Sequence, residues 1–558
     1  MERTPAATLI IPQLSRGQLF IPVKTRLHTV PTVHPSQTRR KAVETIEAVD
    51  AESLIRSLRE FLAASRHAAV LEDGVIAFDL SSARYSVSGE HGKCLLHFWS
   101  AERNIVRRVL AVESKNNALR LTVQRLGQPH PSKLEICRDR DGRSTSMKRT
   151  ARAIYRSRLQ RILERIFPGW TLLHLSTAMD LERSFGPIYT RGLLRRGRSA
   201  FAVLGVNTEE TQVSIDAALT FGILWLDICR QTHATELAVE GLKLFVPRGC
   251  SALVRERIAH LNHTAAKWHL FEFHERDDSV REIDSSDRGN VLTRLVQCPE
   301  DESVLNRFAD AILKVRMLLR ESEVGVISSA EIAFRLHGLE FARARVAHEP
   351  GSFRSATEIV FGLGAEERVL SGSNLDDFSR LLRQAGEVRH EDGPRDHPLF
   401  RMHPERWLES LMVKAVSAVD SHLNPACVYS QVPAFSVSDR SLIDVLACTS
   451  AGRLAVLELK ADEDIHLPLQ GLDYWARVKW HHDRGDFQKN GYFKGVQLSS
   501  EPPLLYLISP SLRVHPAVET ILRYFSPYIQ WTLAGLDDRW RQGIRVVFRK
   551  ASAKAVSA

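Results

Sequence analysis

Three charged residues lie within two strongly apolar segments in the last quarter of the chain. Asp444 falls within LIDVLA, and Glu458 and Lys460 fall within RLAVLELK. Both segments are apolar at nearly every position, which is typical of strands that are buried on both faces. Charges are almost never buried unless they are paired or bound to a metal. Two carboxylates and a lysine on neighbouring strands could hold a divalent cation and support the hydrolysis of a phosphodiester.

The spacing of these residues suggests a role for each of them. Glu458 and Lys460 are two residues apart on a strand, so both side chains project to the same side and Leu459 faces away. We expect Asp444 and Glu458 to bind one Mg²⁺ or Mn²⁺ ion, with the backbone carbonyl of Leu459 as a further ligand. Lys460 would lie near the attacking water, where it lowers the pKa of that water or stabilises charge on the phosphorane.

Two helices flank these strands and add polar residues to the predicted site. In the preceding helix, Glu409 falls on the apolar stripe, so its carboxylate is expected to point inward and to hold a metal-bound water or a second ion. Glu405 competes for this role, although it could simply be a first-turn acid that the helix dipole favours. In the following helix, Gln470 and Tyr474 are four residues apart on one face and could fix the water or a phosphate. A helix-surface glutamine and an ordinary core aromatic are the alternatives for these two.

The order of these residues resembles the motif of the PD-(D/E)xK nuclease superfamily, particularly its RecB-like and NucS/EndoMS-like members. The resemblance covers residues 404–510 and is carried by the helix glutamate, the motif aspartate, the E-x-K pair and the Q-x-x-x-Y helix, that is, Glu409, Asp444, Glu458, Lys460, Gln470 and Tyr474. The proline that precedes the aspartate in the family is replaced by Ile443. The resemblance implies a restriction-endonuclease-like fold, Mg²⁺- or Mn²⁺-dependent hydrolysis and a nucleic-acid substrate, with DNA favoured over RNA.

An E-x-K pair alone does not identify such a site, because two charges on the exposed side of a strand commonly form a weak surface ion pair. The chain contains one other E-x-K, formed by Glu113 and Lys115. Asp79 precedes it, but no Q-x-x-x-Y helix follows. We therefore interpret this second pair as structural.

Four short segments of the first half recur in the same order in the second half, which predicts an internal duplication. The matched segments are 75–80 with 331–336, 96–103 with 360–367, 202–207 with 455–460, and 268–273 with 531–536. In the third match, Gly205 and Asn207 stand where the second half has Glu458 and Lys460. A site without carboxylates cannot hold Mg²⁺. The first copy is therefore expected to be a degenerate domain that serves binding or architecture.

The expected fold class is α/β, with a mixed-sheet, restriction-endonuclease-like core that occurs twice, each copy preceded by a small β-rich module. The predicted domains are a flexible N-terminal segment, a β-rich module, a degenerate nuclease-like domain that begins with a basic segment, a second β-rich module with a linker, and a catalytic domain. Their boundaries are 1–50, 51–137, 138–325, 326–399 and 400–550.

The chain is basic, with a formal net charge of +10 and a pI of about 9.3, which favours a polyanionic partner. Residues 138–161 alone contain nine Lys or Arg against two Asp. We expect basic side chains of the first copy and of the catalytic helix to contact the phosphate backbone of nucleic acid: Arg149, Arg152, Arg156, Arg191, Arg195, Arg196, Arg198 and Lys479. A solvated basic face is the alternative.

Composition excludes several other classes. No run approaches the roughly 18 apolar residues of a membrane span, and the N-terminus lacks a signal-peptide layout, so we expect a cytoplasmic protein without a membrane partner. The seven cysteines form no CxxC pair, which argues against a structural zinc site or a disulfide framework. A non-cleaving nucleic-acid-binding protein and a protein-interaction scaffold remain as alternatives. One active centre cuts one strand, so cleavage of both strands would require a homodimer or successive nicks.

Overall fold

The structure of the protein is a computed structural model. It describes fifteen stretches of the chain, namely residues 51–65, 68–72, 75–80, 84–90, 93–99, 104–115, 118–125, 131–138, 145–180, 183–287, 293–298, 301–348, 355–363, 367–436 and 442–553. The predicted flexible segment 1–50 lies outside the described residues. No described helix is long and apolar enough to cross a membrane.

The first module consists of one helix packed on an antiparallel sheet. Its elements are α1 (Ala51–Ala63), β1 (Ala69–Glu72), β2 (Val75–Asp79), β3 (Arg84–Glu90), β4 (Lys93–Trp99), β5 (Asn104–Lys115), β6 (Ala118–Arg125) and β7 (Pro131–Cys137). The strand order is β2-β1-β7-β6-β5-β4-β3. Helix α1 buries Leu54, Leu58 and Phe61, which recur at helical spacing and therefore form one apolar stripe against the sheet.

The first unit is a mixed α/β domain. Its elements are α2 (Thr145–Ile166), β8 (Thr171–Ser176), β9 (Thr190–Arg196), β10 (Ser199–Gly205), α3 (Gln212–Asp216), α4 (Ala218–Thr232), β11 (Ala238–Pro247), α5 (Ala252–Ile258), β12 (Lys267–His274) and β13 (Ser279–Ile283). The strand order is β13-β12-β11-β10-β9-β8. Strands β10, β11 and β12 run parallel to one another, and the remaining neighbours are antiparallel.

The second module is an antiparallel meander with helices. After β14 (Thr293–Leu295), it contains α6 (Asp301–Arg307), α7 (Ala309–Leu318), β15 (Glu323–Ser328), β16 (Glu331–Leu336), β17 (Leu339–His348), β18 (Ser355–Phe361), β19 (Arg368–Val369) and α8 (Leu375–Val388). The two helices at 301–318 share a core with this meander, so the module begins before the predicted boundary at residue 326. Strand β14 pairs with the next unit.

The second unit contains the predicted site. Its elements are α9 (Pro398–Arg401), α10 (Pro404–Lys414), α11 (Val416–Val419), β20 (Leu423–Ser436), β21 (Leu442–Thr449), β22 (Leu454–Leu459), α12 (Leu467–Asp483), α13 (Asp486–Lys489), β23 (Leu504–Pro510), α14 (Val518–Leu522), β24 (Trp531–Leu536) and β25 (Val546–Ala551). The strand order is β14-β20-β21-β22-β23-β24-β25. Short 3-10 turns occur at 372–374, 511–513 and 540–542.

The two units have the same succession of strand directions. From β20 to β25 the neighbours pair antiparallel, antiparallel, parallel, parallel and antiparallel, and the same series runs from β8 to β13. Helix α12 follows β22 as α4 follows β10, and α14 precedes β24 as α5 precedes β12. The matched segments 202–207 and 455–460 fall on the third strand of each series.

The contact between the two units is reciprocal. Helix α4 packs against α14, and α12 packs against α5. One antiparallel bridge joins Leu261, three residues after the end of α5, to Phe525, three residues after the end of α14. The two backbone hydrogen bonds beside this bridge run in opposite directions and measure 2.8 and 3.0 Å. Equivalent positions therefore meet, as they would across an approximate two-fold axis.

The two modules, in contrast, differ in strand order. The matched segment 75–80 falls largely on β2, at the edge of its sheet, whereas 331–336 forms β16, which is paired on both sides. In the first module β1 pairs with β7, and β2 and β3 are the edges of an open sheet, whereas the second module is a simple meander. The described strands therefore give the modules no common topology.

Candidate active site

Asp444 and Glu458 lie opposite each other on adjacent strands. Strands β21 and β22 pair with Val445 opposite Leu457, and one further step in this register places Asp444 opposite Glu458. Glu458 is 1% exposed and is the next-to-last residue of a strand whose other residues are all apolar. In this register the two side chains project to the same face of the sheet. The pairing register thus brings together two acids that are far from each other along the chain.

Lys460 follows Glu458 into the same cluster. Its Nζ lies 3.1 Å from Oε1 of Glu458 and 3.8 Å from Oε1 of Glu405. The other oxygen of Glu458, Oε2, is buried and has no hydrogen-bond partner among the described residues. Such an oxygen is costly to bury, because it has given up its bonds to water without replacing them.

The Asp444 carboxylate is oriented by the backbone of the neighbouring strand. Its Oδ2 accepts a hydrogen bond of 3.1 Å from the amide N–H of Leu459. The Leu459 side chain is buried in the core on the opposite face of the sheet, as the alternation of side chains along a strand requires. The predicted use of the Leu459 carbonyl as a metal ligand stays a prediction.

Helix α10 presents both of its candidate glutamates to the cluster. Glu409 is buried, and its Oε2 accepts hydrogen bonds of 2.6 Å from Gln431 and 3.0 Å from Arg406. Glu405, one helical turn earlier, is about half exposed and faces Lys460. The two acids therefore have different environments on one helix face: Glu409 is enclosed by hydrogen-bond donors, and Glu405 lies at the rim.

Gln431 is a site residue that the sequence analysis missed. Strands β20 and β21 pair with Ser430 opposite Val445 and Val432 opposite Ile443, so Gln431 lies opposite Asp444. Gln431 adopts a left-handed φ of +53°, which is uncommon for a residue other than glycine and marks a local distortion of the strand. The pairing of β20 with β21 defines its place, and no motif in the sequence indicates that pairing.

The acids of this cluster bind protons more tightly than free carboxyl groups do. Burial raises the pKa of Glu409 to about 8, and the Asp444 charge adds to this while Arg406 opposes it. Burial and the neighbouring Asp444 hold the pKa of Glu458 well above its usual range, and burial also raises the pKa of Asp444. The pKa of Lys460, which burial alone would lower, is raised because Glu458 and Glu405 stabilise its charge. One lysine thus faces several acids that repel one another when ionised.

Helix α12 covers the Glu458 strand at a glycine. A Cβ placed on Gly471 would lie 3.5 Å from the Cβ of Glu458 and would overlap the Leu507 side chain, so the helix can approach this closely only without a side chain there. The adjacent Gln470 has a buried Oε1 without a hydrogen-bond partner among the described residues. Tyr474, one turn later, is half-buried and packs against the main hydrophobic core. Helix α12 thus carries Gln470 beside the Gly471 contact with the Glu458 strand, and its predicted role stays a prediction. Tyr474 contributes to the packing of the helix.

The chemistry of the cluster suits a divalent cation better than its arrangement does. Within the described stretches, no group of three or more His, Cys, Asp and Glu is arranged as a metal site. The cluster nevertheless has the donor chemistry for Mg²⁺ or Mn²⁺, since Asp444 and Glu458 are paired carboxylates and Oε2 of Glu458 is buried without a donor. A cation at this position would offset the repulsion between the two acids. The donor set therefore fits such an ion.

No family model, no curated protein and no solved structure matches this chain.

The first unit has no carboxylate at the corresponding positions. Gly205 ends β10 as Glu458 nearly ends β22, and the residue opposite Gly205 is Thr190. A Cβ on Gly205 would lie 2.5 Å from the Tyr155 hydroxyl and 2.8 Å from Leu159, because helix α2 packs directly onto the strand there. The buried Tyr155 thus fills the space beside Gly205 in the first unit.

The helix that follows this strand differs in the same way. Helix α4 approaches its sheet at Gly222, whose Cβ would overlap the Leu242 side chain, as α12 approaches its sheet at Gly471. With these glycines equivalent, Phe221 and Trp225 stand where the second unit has Gln470 and Tyr474. Two apolar aromatic side chains thus replace the polar pair.

The predicted phosphate-binding residues fall into three groups. Arg191 is 4% exposed, and its guanidinium lies 4.4 Å from the ring centre of Phe185 and 5.6 Å from that of Trp225, so burial removes it from the predicted set. Arg152 pairs with Glu210 at 2.7 Å, and Lys479 pairs with Asp483 at 2.6 Å. The remaining five are exposed: Arg149, Arg156, Arg195, Arg196 and Arg198.

The other E-x-K pair lies on a strand of the first module. Glu113 is in β5 and its side chain is exposed. It faces Arg120 in the pairing of β5 with β6, a neighbour typical of an exposed antiparallel strand. Its environment thus differs from that of Glu458, which is almost fully buried.

Proposed function

We propose that this protein is a Mg²⁺- or Mn²⁺-dependent nuclease that hydrolyses phosphodiester bonds, in DNA in preference to RNA, at a single site in the second unit. The observation that carries the proposal is the cluster of Asp444 and Glu458, in register on adjacent buried strands, with Lys460 two residues after Glu458. A buried pair of acids that share one lysine is poorly stabilised by itself. It is well suited to a divalent cation and a phosphate group.

The residues of the cluster have separate roles in the proposed reaction. Asp444 and Glu458 would hold a divalent ion, which would supply Lewis-acid catalysis of phosphodiester hydrolysis. Lys460 holds a positive charge beside these acids and stabilises the negative charge that develops on the phosphate. Glu409, with a pKa of about 8, can hold or release a proton on its carboxyl near neutral pH. Gln470 offers its amide group to the water or to a phosphate oxygen.

In this proposal both units have the restriction-endonuclease-like fold and derive from one duplicated unit. The equal succession of strand directions and the reciprocal contact between equivalent helices support it. The first unit has lost its acids and retains exposed arginines at a hairpin, Arg195, Arg196 and Arg198. Its role would be to bind the nucleic-acid backbone, which requires cations and no metal. One active centre per chain would cut one strand at a time.

The test is a cleavage assay with labelled single-stranded, duplex, flapped and mismatched DNA and with RNA, in Mg²⁺ or Mn²⁺. Wild type is compared with Asp444→Asn/Glu458→Gln and with a control, Glu113→Gln/Lys115→Ala, which removes the other E-x-K. Cleavage by wild type and the control, but not by the site variant, is the expected result. Equal cleavage by the site variant would exclude this cluster as the active centre.

A non-cleaving nucleic-acid-binding protein is the second candidate. Lys460 already closes an ion pair with Glu458, and no described group of three or more possible ligands is arranged for a metal, so the cluster could be a purely structural network. Isothermal titration with Mn²⁺ separates the two functions. Binding that is lost in Asp444→Asn favours the nuclease, whereas no binding together with tight, salt-sensitive DNA binding favours this alternative.

A further inference from the structure

A cavity of about 410 Å³ adjoins the candidate site at the carboxyl ends of the central strands. It is lined by Ala461, which directly follows Lys460, by Pro510, which ends β23, and by Pro404, which begins α10. Ligands of open α/β sheets bind at this edge, outside the carboxyl ends of parallel strands. The cavity therefore lies at the end of the strand that carries Glu458, beside the residues that follow β22, end β23 and begin α10.

The lining of this cavity is cationic. It combines four arginines and two aspartates, a surplus of two positive charges: Arg395, Arg401, Arg513, Arg541, Asp462 and Asp538. Among the residues that the structure describes, none of the four arginines forms an ion pair with a carboxylate. Arginines that are brought together without paired acids repel one another unless an anion lies between them.

One of these arginines is held rigidly. The Arg541 guanidinium lies 4.2 Å from the ring centre of Trp540, 4.9 Å from that of Phe400 and 5.1 Å from that of Trp407. Its Nε is buried and has no hydrogen-bond partner in the described part of the chain. On the opposite side, Arg401 donates from Nε to the Arg395 carbonyl at 2.8 Å. Aromatic and backbone contacts thus fix guanidinium groups in place before any ligand binds, which lowers the entropic cost of binding.

We propose that this arginine pocket binds the terminal phosphate monoester of a nucleic-acid strand. A terminal phosphate carries close to two negative charges at neutral pH, and an internal phosphodiester carries one, so the surplus of two positive charges favours the strand end. Because Ala461 follows Lys460 directly, a phosphate in the pocket would leave one of the first phosphodiesters of that strand at the lysine. The inference rests on the proposed nuclease function and narrows its substrate to phosphorylated ends.

Binding in EDTA tests the pocket without requiring cleavage. Fluorescence anisotropy compares oligonucleotides of one sequence that end in a 5′-phosphate, a 3′-phosphate or hydroxyl groups only, with the full-length protein. We expect one of the phosphorylated ends to bind at least about tenfold more tightly than the hydroxyl end, since each charge-assisted hydrogen bond to a phosphate contributes that much. Inorganic phosphate in excess should remove the preference.

The matched variants are Arg395→Gln/Arg513→Gln, which removes two exposed arginines of the pocket, and Arg539→Gln, an exposed arginine that does not line it. The pocket variant should bind all three oligonucleotides with the affinity of the hydroxyl end, and the control should retain the preference. Equal binding of all ends by wild type, or an unchanged preference in the pocket variant, would overturn the proposal. Cleavage without a preference for phosphorylated ends would refute only the proposed role of the pocket. A preference for phosphorylated ends without cleavage would refute only the proposed nuclease activity.

Discussion

The Glu409→Gln variant should change how the stability of the protein depends on pH. In the unfolded chain Glu409 loses its proton near pH 4.5, whereas in the folded protein burial raises its pKa to about 8. Below pH 4.5 both states are protonated, and the group contributes nothing to the pH dependence. Between about pH 4.5 and 8 the folded state retains a proton that the unfolded state has lost, so the free energy of unfolding falls as pH rises. Above pH 8 the loss is complete.

The size of the effect follows from the difference between the two pKa values. A single proton gives a slope of about 1.4 kcal/mol per pH unit, and the whole window amounts to at most about 5 kcal/mol. Glutamine keeps the shape of the side chain and cannot ionise, so the variant lacks this component. Between pH 5.5 and 7.5 the free energy of unfolding of the variant should rise relative to that of wild type by roughly 2–3 kcal/mol. For a unit of this size, the difference in Tm should increase by about 5–10 °C over the same range.

Thermal unfolding in EDTA at intervals of half a pH unit measures this difference, with Glu113→Gln as the control for an exposed glutamate. Subtracting the wild-type curve of Tm against pH from that of the variant cancels the contributions of the other buried acids, because both proteins contain them. A difference in Tm that stays constant from pH 5.5 to 8 would refute the reasoning, because it would mean that Glu409 is ionised in the folded protein throughout. The growth of the Tm difference with pH should be larger for Glu409→Gln than for the control.

Three further changes have expected outcomes. Lys460→Ala should abolish cleavage and leave the affinity for DNA within about threefold of wild type, since one cation among many contributes little to backbone binding. Loss of both cleavage and DNA binding, with an unchanged circular dichroism spectrum, would contradict the role given to Lys460. Arg389→Met should lower the free energy of unfolding by at least about 3 kcal/mol in denaturant titrations, because this fully buried guanidinium donates to carbonyls of the β16–β17 turn and of the segment before α10. Replacing Arg195 and Arg196 by Gln should weaken DNA binding equally for all sequences and reduce the salt dependence of the affinity. A loss of affinity confined to one DNA sequence would show instead that these arginines recognise bases.

The central part of the site could be predicted because local sequence indicates burial. Asp444 and Glu458 interrupt segments that are apolar at nearly every position, and the structure places both segments as paired strands in the interior of a sheet. The E-x-K spacing defines which side chains share a face. The helix after these strands was predictable from its apolar spacing, and Gly471 marks its close approach to the sheet.

Other parts of the site depend on tertiary pairing, which the sequence does not display. Gln431 reaches the cluster because β20 pairs with β21 in one particular register. The pocket arginines come from segments more than a hundred residues apart, such as Arg395 and Arg513. Arg191 was expected at the surface, since arginine usually is, but the rings of Phe185 and Trp225 hold its guanidinium inside the unit.

The contact between the two units places the first unit against the helix that covers the candidate acids. Helix α12 covers the Glu458 strand with one face, and its other face packs against α5 of the first unit. At that contact Arg257 donates two hydrogen bonds, of 2.8 and 3.0 Å, to Asp473, which lies between the two candidate residues Gln470 and Tyr474. A two-pronged arginine contact fixes orientation as well as distance. The first unit therefore helps to position helix α12 over Asp444 and Glu458. The geometry of the candidate site thus depends on residues from both halves of the chain.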